Sequence, residues 1–207
     1  MYERYKTKSS ITWVWMIPCT QYKKKALTSL DRALDTGEVD TKIIPILDAI
    51  NSLSCFYTTS SCAGRIMVLE VPSVGRKKEA KILGKWHHNI NGQEVQECIT
   101  TATRGQMWLL AQSPIFHVGV ESMKDTDVLL SIAIRSGFKN SGIKTKGKKI
   151  IVEITSTERV DAPLGKDGEM MCSNKYLKFL IENANYTIER GDKKIYRLTK
   201  NLSLLQC

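Results

Sequence analysis

The chain has 207 residues, of which 42% are hydrophobic and 25% charged, a composition typical of a soluble globular protein with a real core. No apolar run approaches the ~18–20 residues that a membrane-crossing helix requires. The apolar stretch at 11–17 is short for a signal peptide, and lysines follow it instead of a small-residue cleavage site. We therefore expect a cytoplasmic protein without a membrane partner, in which residues 1–20 form a packed N-terminal extension.

Basic residues are in clear excess. Lysine and arginine outnumber aspartate and glutamate by 31 to 21, which gives a formal net charge of +10. Such an excess favours an acidic partner, and nucleic acid is the commonest one. The basic residues form clusters at 23–25, 76–78, 144–149 and 193–194, which together can neutralise phosphates on an extended backbone. A basic surface that only keeps the protein soluble is the alternative.

The cysteine pattern argues against a metal centre. The six cysteines are scattered, no C-x-x-C pair occurs, and the chain has only three histidines. Zinc sites and iron–sulfur clusters need closely spaced ligands, so we expect no metal. Without a signal peptide, reduced thiols are expected in place of a disulfide framework.

The first half of the chain is predicted to hold two helices and then two strands. Apolar residues fall on one face of a helix over 22–34. Asp40 has the character of the N-cap of a second helix. The runs 55–58 and 65–71 are typical of strands, and the small polar residues 60–64 between them predict a turn.

The second half alternates helices and strands. In chain order we predict a helix over 93–103, strands over 107–112 and 115–120, a helix over 125–136 closed by Gly137, a buried strand over 150–154, and a late helix capped by Ser173. The segment 195–198 is predicted to be a strand or a short helix.

These elements predict a single α+β domain over 1–207, with a mixed β-sheet and flanking helices. No G-x-G-x-x-G loop follows a first strand, so a Rossmann-like fold is not supported. Segments 40–71 and 125–156 both run helix, strand, small polar turn and strand, which suggests a duplicated unit. Chance alignment of short amphipathic patterns explains the similarity equally well.

The run from Thr59 to Arg65 is the most unusual stretch. Four small polar residues followed by Ala63 and Gly64 can form a turn whose backbone N–H groups bind a carboxylate or phosphate, and Arg65 offers a planar fork for either anion. A purely structural turn is the alternative. Cys62 as the nucleophile of a cysteine-dependent hydrolase would need a base, and none lies nearby in the sequence.

Two further motifs have a polar character suited to binding. The run 84–88 contains Lys85, Trp86 and His88, which suit stacking on an unpaired base beside a titratable group. A strand with Trp86 in the core is the alternative. In the run 138–142, Asn140 and Ser141 could read a base edge or a cofactor, although a plain turn after a helix has the same composition.

Taken together, these motifs resemble a known family. The stretch 57–66, then Trp86 and His88, then 137–143, closely resembles the tRNA wybutosine-synthesising methyltransferase family that acts after side-chain attachment. Further matches at 156–157, 163–164, 176–177 and 184–185 keep the family's order. The resemblance covers roughly residues 21–200 and is closest to archaeal-type members.

The resemblance implies an enzyme that uses S-adenosylmethionine to methylate a ring nitrogen of a tricyclic guanine derivative beside the anticodon of tRNA-Phe. It also implies a fold unlike the Rossmann-like methyltransferases. A non-catalytic RNA-binding module using the same basic clusters is the alternative function.

Residue roles follow from mapping the family's motifs onto this chain. Methyl transfer needs alignment of nitrogen, methyl and sulfur, and the nitrogen must lose a proton, for which we predict His88 as base or relay. The predicted sites are catalytic His88, Ser61 and Arg65; cofactor-binding Ser60, Cys62, Gly64, Asn140, Ser141 and Gly142; and substrate-binding Trp86, Lys85 and Lys139.

Overall fold

The computed structural model describes residues 19–205, so the predicted N-terminal extension lies almost wholly outside the described residues. The helices are α1 (Cys19–Asp35), α2 (Ile44–Asn51), α3 (Gly92–Ile99), α4 (Met123–Ser136) and α5 (Asn174–Leu202). The strands are β1 (Phe56–Cys62), β2 (Arg65–Val71), β3 (Lys81–Trp86), β4 (Gln106–Gln112), β5 (Ile115–Val120), β6 (Gly142–Lys146), β7 (Ile150–Thr155), β8 (Arg159–Lys166) and β9 (Glu169–Met170). Within 19–205, every helix is too short or too polar to cross a bilayer.

The strands form two antiparallel sheets. Sheet 1 has the order β1-β5-β7-β6, and sheet 2 has the order β3-β2-β4-β8-β9. The predicted α+β class is confirmed, and no parallel doubly wound sheet is present among the described strands. The strands lie in two antiparallel sheets instead of one mixed sheet. The proposed duplication is wrong, because β6 and β7 are neighbours in one sheet whereas β1 and β2 belong to different sheets.

Three chain crossings join the two sheets at one level, which we call the waist. The crossings are residues 63–64 between β1 and β2, 113–114 between β4 and β5, and 156–158 between β7 and β8. The strands remain paired up to the waist on both sides. Cys62 lies opposite Ile115 in sheet 1, and Arg65 lies opposite Gln112 in sheet 2. Functional motifs that end one strand and begin the next are therefore held by hydrogen-bonded ladders on both sides.

Gly64 makes the first crossing possible. Its φ is +92°, a conformation that side-chain-bearing residues rarely adopt. A Cβ at this position would also lie 2.8 Å from the backbone oxygen of Gln112. The glycine in the Ser60–Arg65 stretch is thus required by the backbone path.

The two sheets have separate hydrophobic cores that share one helix. One core joins α2, α4 and the end of α5 to β1, β5 and β7, and the other joins α3 and the start of α5 to β2, β4 and β8. Between the two cores, α5 crosses the waist at Gly191, where a Cβ would lie 2.6 Å from Cδ of Pro114. The long helix can approach the crossing because it has no side chain there.

Several local predictions are confirmed. Asp40 accepts a hydrogen bond from the backbone N–H of Lys42 and begins a short 3₁₀ helix that leads into α2. Gly137 ends α4 in the left-handed conformation, and the Ser173 hydroxyl caps α5. These signals are predictable because each acts within one turn of its own residue.

Three predictions are wrong in whole or in part. The predicted turn at 60–64 is strand through Cys62, so only 63–64 lie outside the sheets. Pairing with β5 fixes the backbone of residues 60–62, which therefore do not form the predicted turn. The segment 195–198, predicted as a strand or a short helix, is helical but belongs to the 29-residue α5. Cys55 is disulfide-bonded, contrary to the expectation of reduced thiols, whereas Cys62, Cys98 and Cys172 are free.

Candidate active site

A row of polar side chains crosses sheet 1 on the face opposite its core. Ser60 on β1 is paired with His117 on β5, and His117 is paired with Glu153 on β7. The Ser60 Oγ lies 2.8 Å from Nδ1 of His117, and Nε2 of His117 lies 2.8 Å from Oε2 of Glu153. Lys144 on β6 completes the row with its Nζ 2.9 Å from the same carboxylate oxygen. We call Ser60, His117, Glu153 and Lys144 the polar row.

Strand alternation places the polar row on this face. Phe116 and Val118 flank His117 and are fully buried in the core. Val152 and Ile154 flank Glu153 in the same way. Because successive side chains of a strand point to opposite faces, His117 and Glu153 are directed away from the core and toward each other across the ladder.

The charges of the row fix the protonation pattern of His117. The hydrogen bond from Lys144 lowers the pKa of Glu153; partial burial opposes this, and the hydrogen bond from His117 adds to it. The carboxylate is therefore ionised at neutral pH, and Nε2 of His117 donates to it. In the neutral imidazole, Nδ1 is then an acceptor, and the hydroxyl of Ser60 donates to it.

The 138–142 motif reaches the same part of sheet 1. Gly142 is paired with Glu153, so it lies next to the polar row. The Ser141 hydroxyl donates to the backbone oxygen of Phe138 at 2.8 Å and accepts from the backbone N–H of Thr155 at 3.2 Å. The sheet thus brings together two of the motifs predicted from sequence. In this segment, Lys139 and Asn140 have exposed side chains, whereas Ser141 holds the turn in place.

The rest of the Ser60–Arg65 stretch lies along the waist. Ser61 is paired with Phe116, and Cys62 is a half-buried free thiol. Arg65 is half-buried, and its Nε donates to Oε1 of Gln112 at 3.2 Å. None of the contacts described for Cys62 supplies the base that a nucleophilic thiol needs.

The 84–88 motif is divided between the core and the surface. Trp86 is partly buried and packs against the sheet 2 core, which agrees with the alternative of a strand that has Trp86 in the core. Lys85 is exposed. His88 is exposed, and its Nδ1 donates to the backbone oxygen of Asn89 at 2.8 Å. No hydrogen bond described for residues 19–205 joins His88 to the polar row.

His87 is a second histidine, besides His117, that contacts the Ser60–Arg65 stretch. Its Nδ1 lies 2.8 Å from the backbone oxygen of Gly64. The oxygen can only accept, so Nδ1 of His87 carries the proton and holds the crossing in place. Oδ2 of Asp40 lies 3.7 Å from the same nitrogen.

Sequence reasoning did not identify His117 or Glu153 as site residues. Each is a single polar residue in an apolar strand, and this alternation marks a side chain that faces away from the core. The sequence does not show that the two strands are neighbours in register. A pairing of β5 with any other strand would have separated these side chains.

Exposed cations border the polar row. The strand β6 is the edge of sheet 1, and with the turn that follows it carries four exposed lysines: Lys144, Lys146, Lys148 and Lys149. Clustered lysines beside a polar site suit the phosphates of a nucleic acid. We call these four residues the β6 lysines.

Comparisons with known proteins identify the family of this chain. The profile of the family Methyltransferase TYW3 matches residues 21–204. A Pyrococcus furiosus protein named tRNA(Phe) 7-((3-amino-3-carboxypropyl)-4-demethylwyosine(37)-N(4))-methyltransferase 1 is 47% identical over 184 residues, which is 88% of this chain and 94% of the relative. A Thermococcus kodakarensis protein of the same name is 43% identical over 187 residues, or 90% of this chain and 94% of the relative.

The solved structures show the same relationship. A structure of a Pyrococcus horikoshii protein superposes with a TM-score of 0.88 at 45% identity and covers 92% of this chain and 99% of that one. A crystal structure from Aeropyrum pernix gives a TM-score of 0.70 at 29% identity, with coverage of 81% and 100%. With a profile that spans nearly the whole described chain and relatives well above 30% identity, this protein belongs to the Methyltransferase TYW3 family of tRNA methyltransferases.

Proposed function

We propose that the protein methylates N4 of 7-(3-amino-3-carboxypropyl)-4-demethylwyosine at position 37 of tRNA(Phe), with S-adenosylmethionine as the methyl donor. The main support is the 43–47% identity to archaeal relatives that are named for this reaction, over 88–90% of the chain. We propose that residues 1–207 form one domain, because α5 contributes to the cores of both sheets. We also propose that the protein acts in the cytoplasm. Nothing in the comparisons supports a non-catalytic RNA-binding module.

The side chains beside the polar row fit such a donor. S-adenosylmethionine supplies an electrophilic methyl group on a sulfonium, and it also carries a carboxylate, an ammonium and a ribose. Arg65 and Lys144 are cations for the carboxylate, and the exposed amide of Asn140 can accept from the ammonium or the ribose. A Cβ on Gly142 would meet nothing within 4 Å, so the surface beside this residue is open to a ligand.

In this proposal the RNA lies along the basic edge of sheet 1. Lys139 and the other three β6 lysines, Lys146, Lys148 and Lys149, would neutralise phosphates, with Lys85 and the exposed part of Trp86 as further contacts. Contacts of this kind position the RNA without reading its sequence. The modified base itself would then select the substrate, because it differs from an unmodified guanine in both ring system and side chain.

The protein's main task is alignment. A displacement at the methyl carbon requires the attacking nitrogen and the sulfur to lie on one line, and holding them there removes much of the entropic barrier. Ser61 and Arg65 remain the predicted residues for this task at the waist. His88 remains only a predicted base, since its described contact is with the neighbouring Asn89 carbonyl.

The test is methyl transfer from labelled S-adenosylmethionine to tRNA(Phe) that carries the demethylated base with its aminocarboxypropyl side chain. We expect one methyl group to appear on that base, detected by mass spectrometry of the digested nucleosides. The same tRNA with unmodified guanine at position 37 is the control and should remain unmethylated. Absence of transfer to the modified tRNA would refute the proposal.

Donor binding provides an independent measurement. Calorimetry should detect S-adenosylmethionine binding in the presence or absence of tRNA, whereas an RNA-binding module would show none. Asn140→Ala should weaken donor affinity about tenfold, the value of one hydrogen bond of ~1–1.5 kcal/mol. Asn183→Ala on α5 is the matched control and should leave the affinity unchanged.

A further inference from the structure

We propose that Ser60 and His117 accept the proton that the target nitrogen loses, with Glu153 holding the imidazole. This assignment rests on the proposed function, because it concerns the same transfer. It places the proton acceptor on the polar row of sheet 1.

The hydrogen-bond chain gives the direction of the transfer. The ionised Glu153 accepts from Nε2 of His117, so Nδ1 is left as the basic nitrogen and lies 2.8 Å from Oγ of Ser60. Ser60 is exposed, so the remaining lone pair of its hydroxyl oxygen is accessible to a ligand. A proton donor that lies against Ser60 can therefore pass its proton to Oγ while Oγ passes its own proton to Nδ1.

The other histidines lack this arrangement. Of the chain's three histidines, all of which the structure describes, His117 alone is hydrogen-bonded at both ring nitrogens. In His87 and His88, Nδ1 donates to a backbone oxygen, so that nitrogen is not a base. Neither has a hydrogen bond from its ring to a carboxylate among the described contacts.

The groups around His117 favour the charged product of the transfer. Glu153 faces it from β7, Ser60 and Thr59 contact it from β1, and Lys144 reaches Glu153 from β6. A carboxylate in direct contact stabilises an imidazolium, and the lysine pairs with the same carboxylate without contacting the ring. The row can therefore hold one additional proton.

The proposed step balances in atoms and charge. The N4–H bond breaks and its proton moves to Ser60 Oγ, as the Ser60 proton moves to Nδ1 of His117. The electron pair left on N4 forms the bond to the methyl carbon. The carbon–sulfur bond breaks with its pair remaining on sulfur, which loses its positive charge. The imidazolium later releases the proton to water.

The test is the pH dependence of single-turnover methylation, where chemistry is not hidden by product release. In the wild type we expect the rate to rise with pH through one titration that reports the imidazole. His117→Gln should lower the rate by a factor of about 10²–10³ and abolish that titration, since general base catalysis is worth ~10²–10⁴. Ser60→Ala should lower the rate at least tenfold, with Ser131→Ala on the exposed face of α4 as the control.

A second readout does not depend on activity. In the free protein, ¹⁵N NMR should show the proton of the neutral His117 ring on Nε2 in the wild type and distributed over both nitrogens in Glu153→Gln, because a carboxylate only accepts whereas an amide can also donate. The single-turnover rate of Glu153→Gln should fall in parallel. This pair of measurements keeps the test valid if His117→Gln fails to fold.

The outcomes separate the two proposals. If the wild type methylates its tRNA but His117→Gln keeps the titration, or His88→Ala loses it instead, the assignment to His117 is overturned. An unchanged position of the ring proton in Glu153→Gln would overturn it as well. If the wild type transfers no methyl group, the proposed function fails, whereas the NMR result still reports whether the row behaves as a linked unit.

Discussion

The ion pair between Glu158 and Lys194 is expected to be a major source of stability at the waist. Lys194 on α5 is 3% exposed, and its Nζ is hydrogen-bonded to Glu158 in the crossing between β7 and β8. Arg190 donates to the other carboxylate oxygen of Glu158 at 3.3 Å. The pair fastens the shared helix to the crossing, so its loss affects both cores.

The size of the effect follows from the protonation of Glu158. Burial acts to raise the pKa of this carboxyl, but the hydrogen bond from Lys194, hydrogen bonds from the Ser156 hydroxyl and the backbone, and the charge of Lys194 together outweigh it and lower the pKa from 4.5 to about 2. Since one pH unit of difference is worth ~1.4 kcal/mol, the ionised carboxylate contributes about 3 kcal/mol at neutral pH. A lowered folded-state pKa means that the contribution is complete above about pH 4.5 and is lost as the pH falls towards 2.

Urea unfolding of Glu158→Gln tests this expectation. At pH 7 the variant should lose about 3 kcal/mol in the free energy of unfolding, because the buried ammonium of Lys194 is left without its carboxylate. The double variant Glu158→Gln/Lys194→Met should recover part of the loss. Glu79→Gln is the control, since Glu79 pairs with Arg76 on the surface, and it should change stability by no more than ~0.5 kcal/mol.

The pH dependence of this stability difference is a further test of the role of Glu158. The difference between wild type and Glu158→Gln should shrink as the pH is lowered from 4.5 to 2, where the wild-type carboxylate becomes protonated. A difference below 0.5 kcal/mol at pH 7, on the order of that for a surface ion pair, would show that the reasoning is wrong. A full difference that persists at pH 2 would do the same.

Two further predictions concern the backbone crossing and the basic edge. Gly64→Ala should destabilise the protein by at least ~2 kcal/mol in thermal or urea unfolding, because a positive φ is costly for alanine and the new Cβ meets the Gln112 oxygen. Gly92→Ala is the control; a Cβ there meets open space, so this variant should be neutral or slightly stabilising. Equal losses of stability for the two variants would contradict the prediction. Lys146→Ala should weaken tRNA binding in a filter assay and reduce the slope of log affinity against log salt by ~0.9. Lys178→Ala on α5 is the control and should leave the slope unchanged. An unaltered slope in Lys146→Ala would show that this residue is not part of the interface.

The sequence predicts the local features of the fold well and the pairing of its strands poorly. The start of α5 at Ser173 and the end of α4 at Gly137 follow from caps that act over one turn. The extension of β1 through Ser60 and Cys62 does not follow from the local sequence, because small polar residues favour turns. Only the ladder with β5 overrides that preference.

The candidate site is predicted in part for the same reason. The motif residues Ser60 and Gly142 stand out in the sequence, and the structure aligns them across sheet 1 on its two edge strands, with His117 and Glu153 between them. His117 and Glu153 have no distinguishing neighbours along the chain. Their importance depends on the order β1-β5-β7-β6, which arises from contacts distant in sequence.

The sharing of α5 between the two cores has a consequence for synthesis on the ribosome. This helix contributes Leu177, Leu180 and Ile188 to one core and Ile195 and Leu198 to the other, and it follows every strand along the chain. Although α2 and α4 pack on one sheet and α3 on the other, neither sheet can complete its core until residues 174–202 have left the exit tunnel. The nascent chain therefore exposes part of both apolar faces until late in translation, so the protein is expected to depend on late folding or on chaperone protection while it is made.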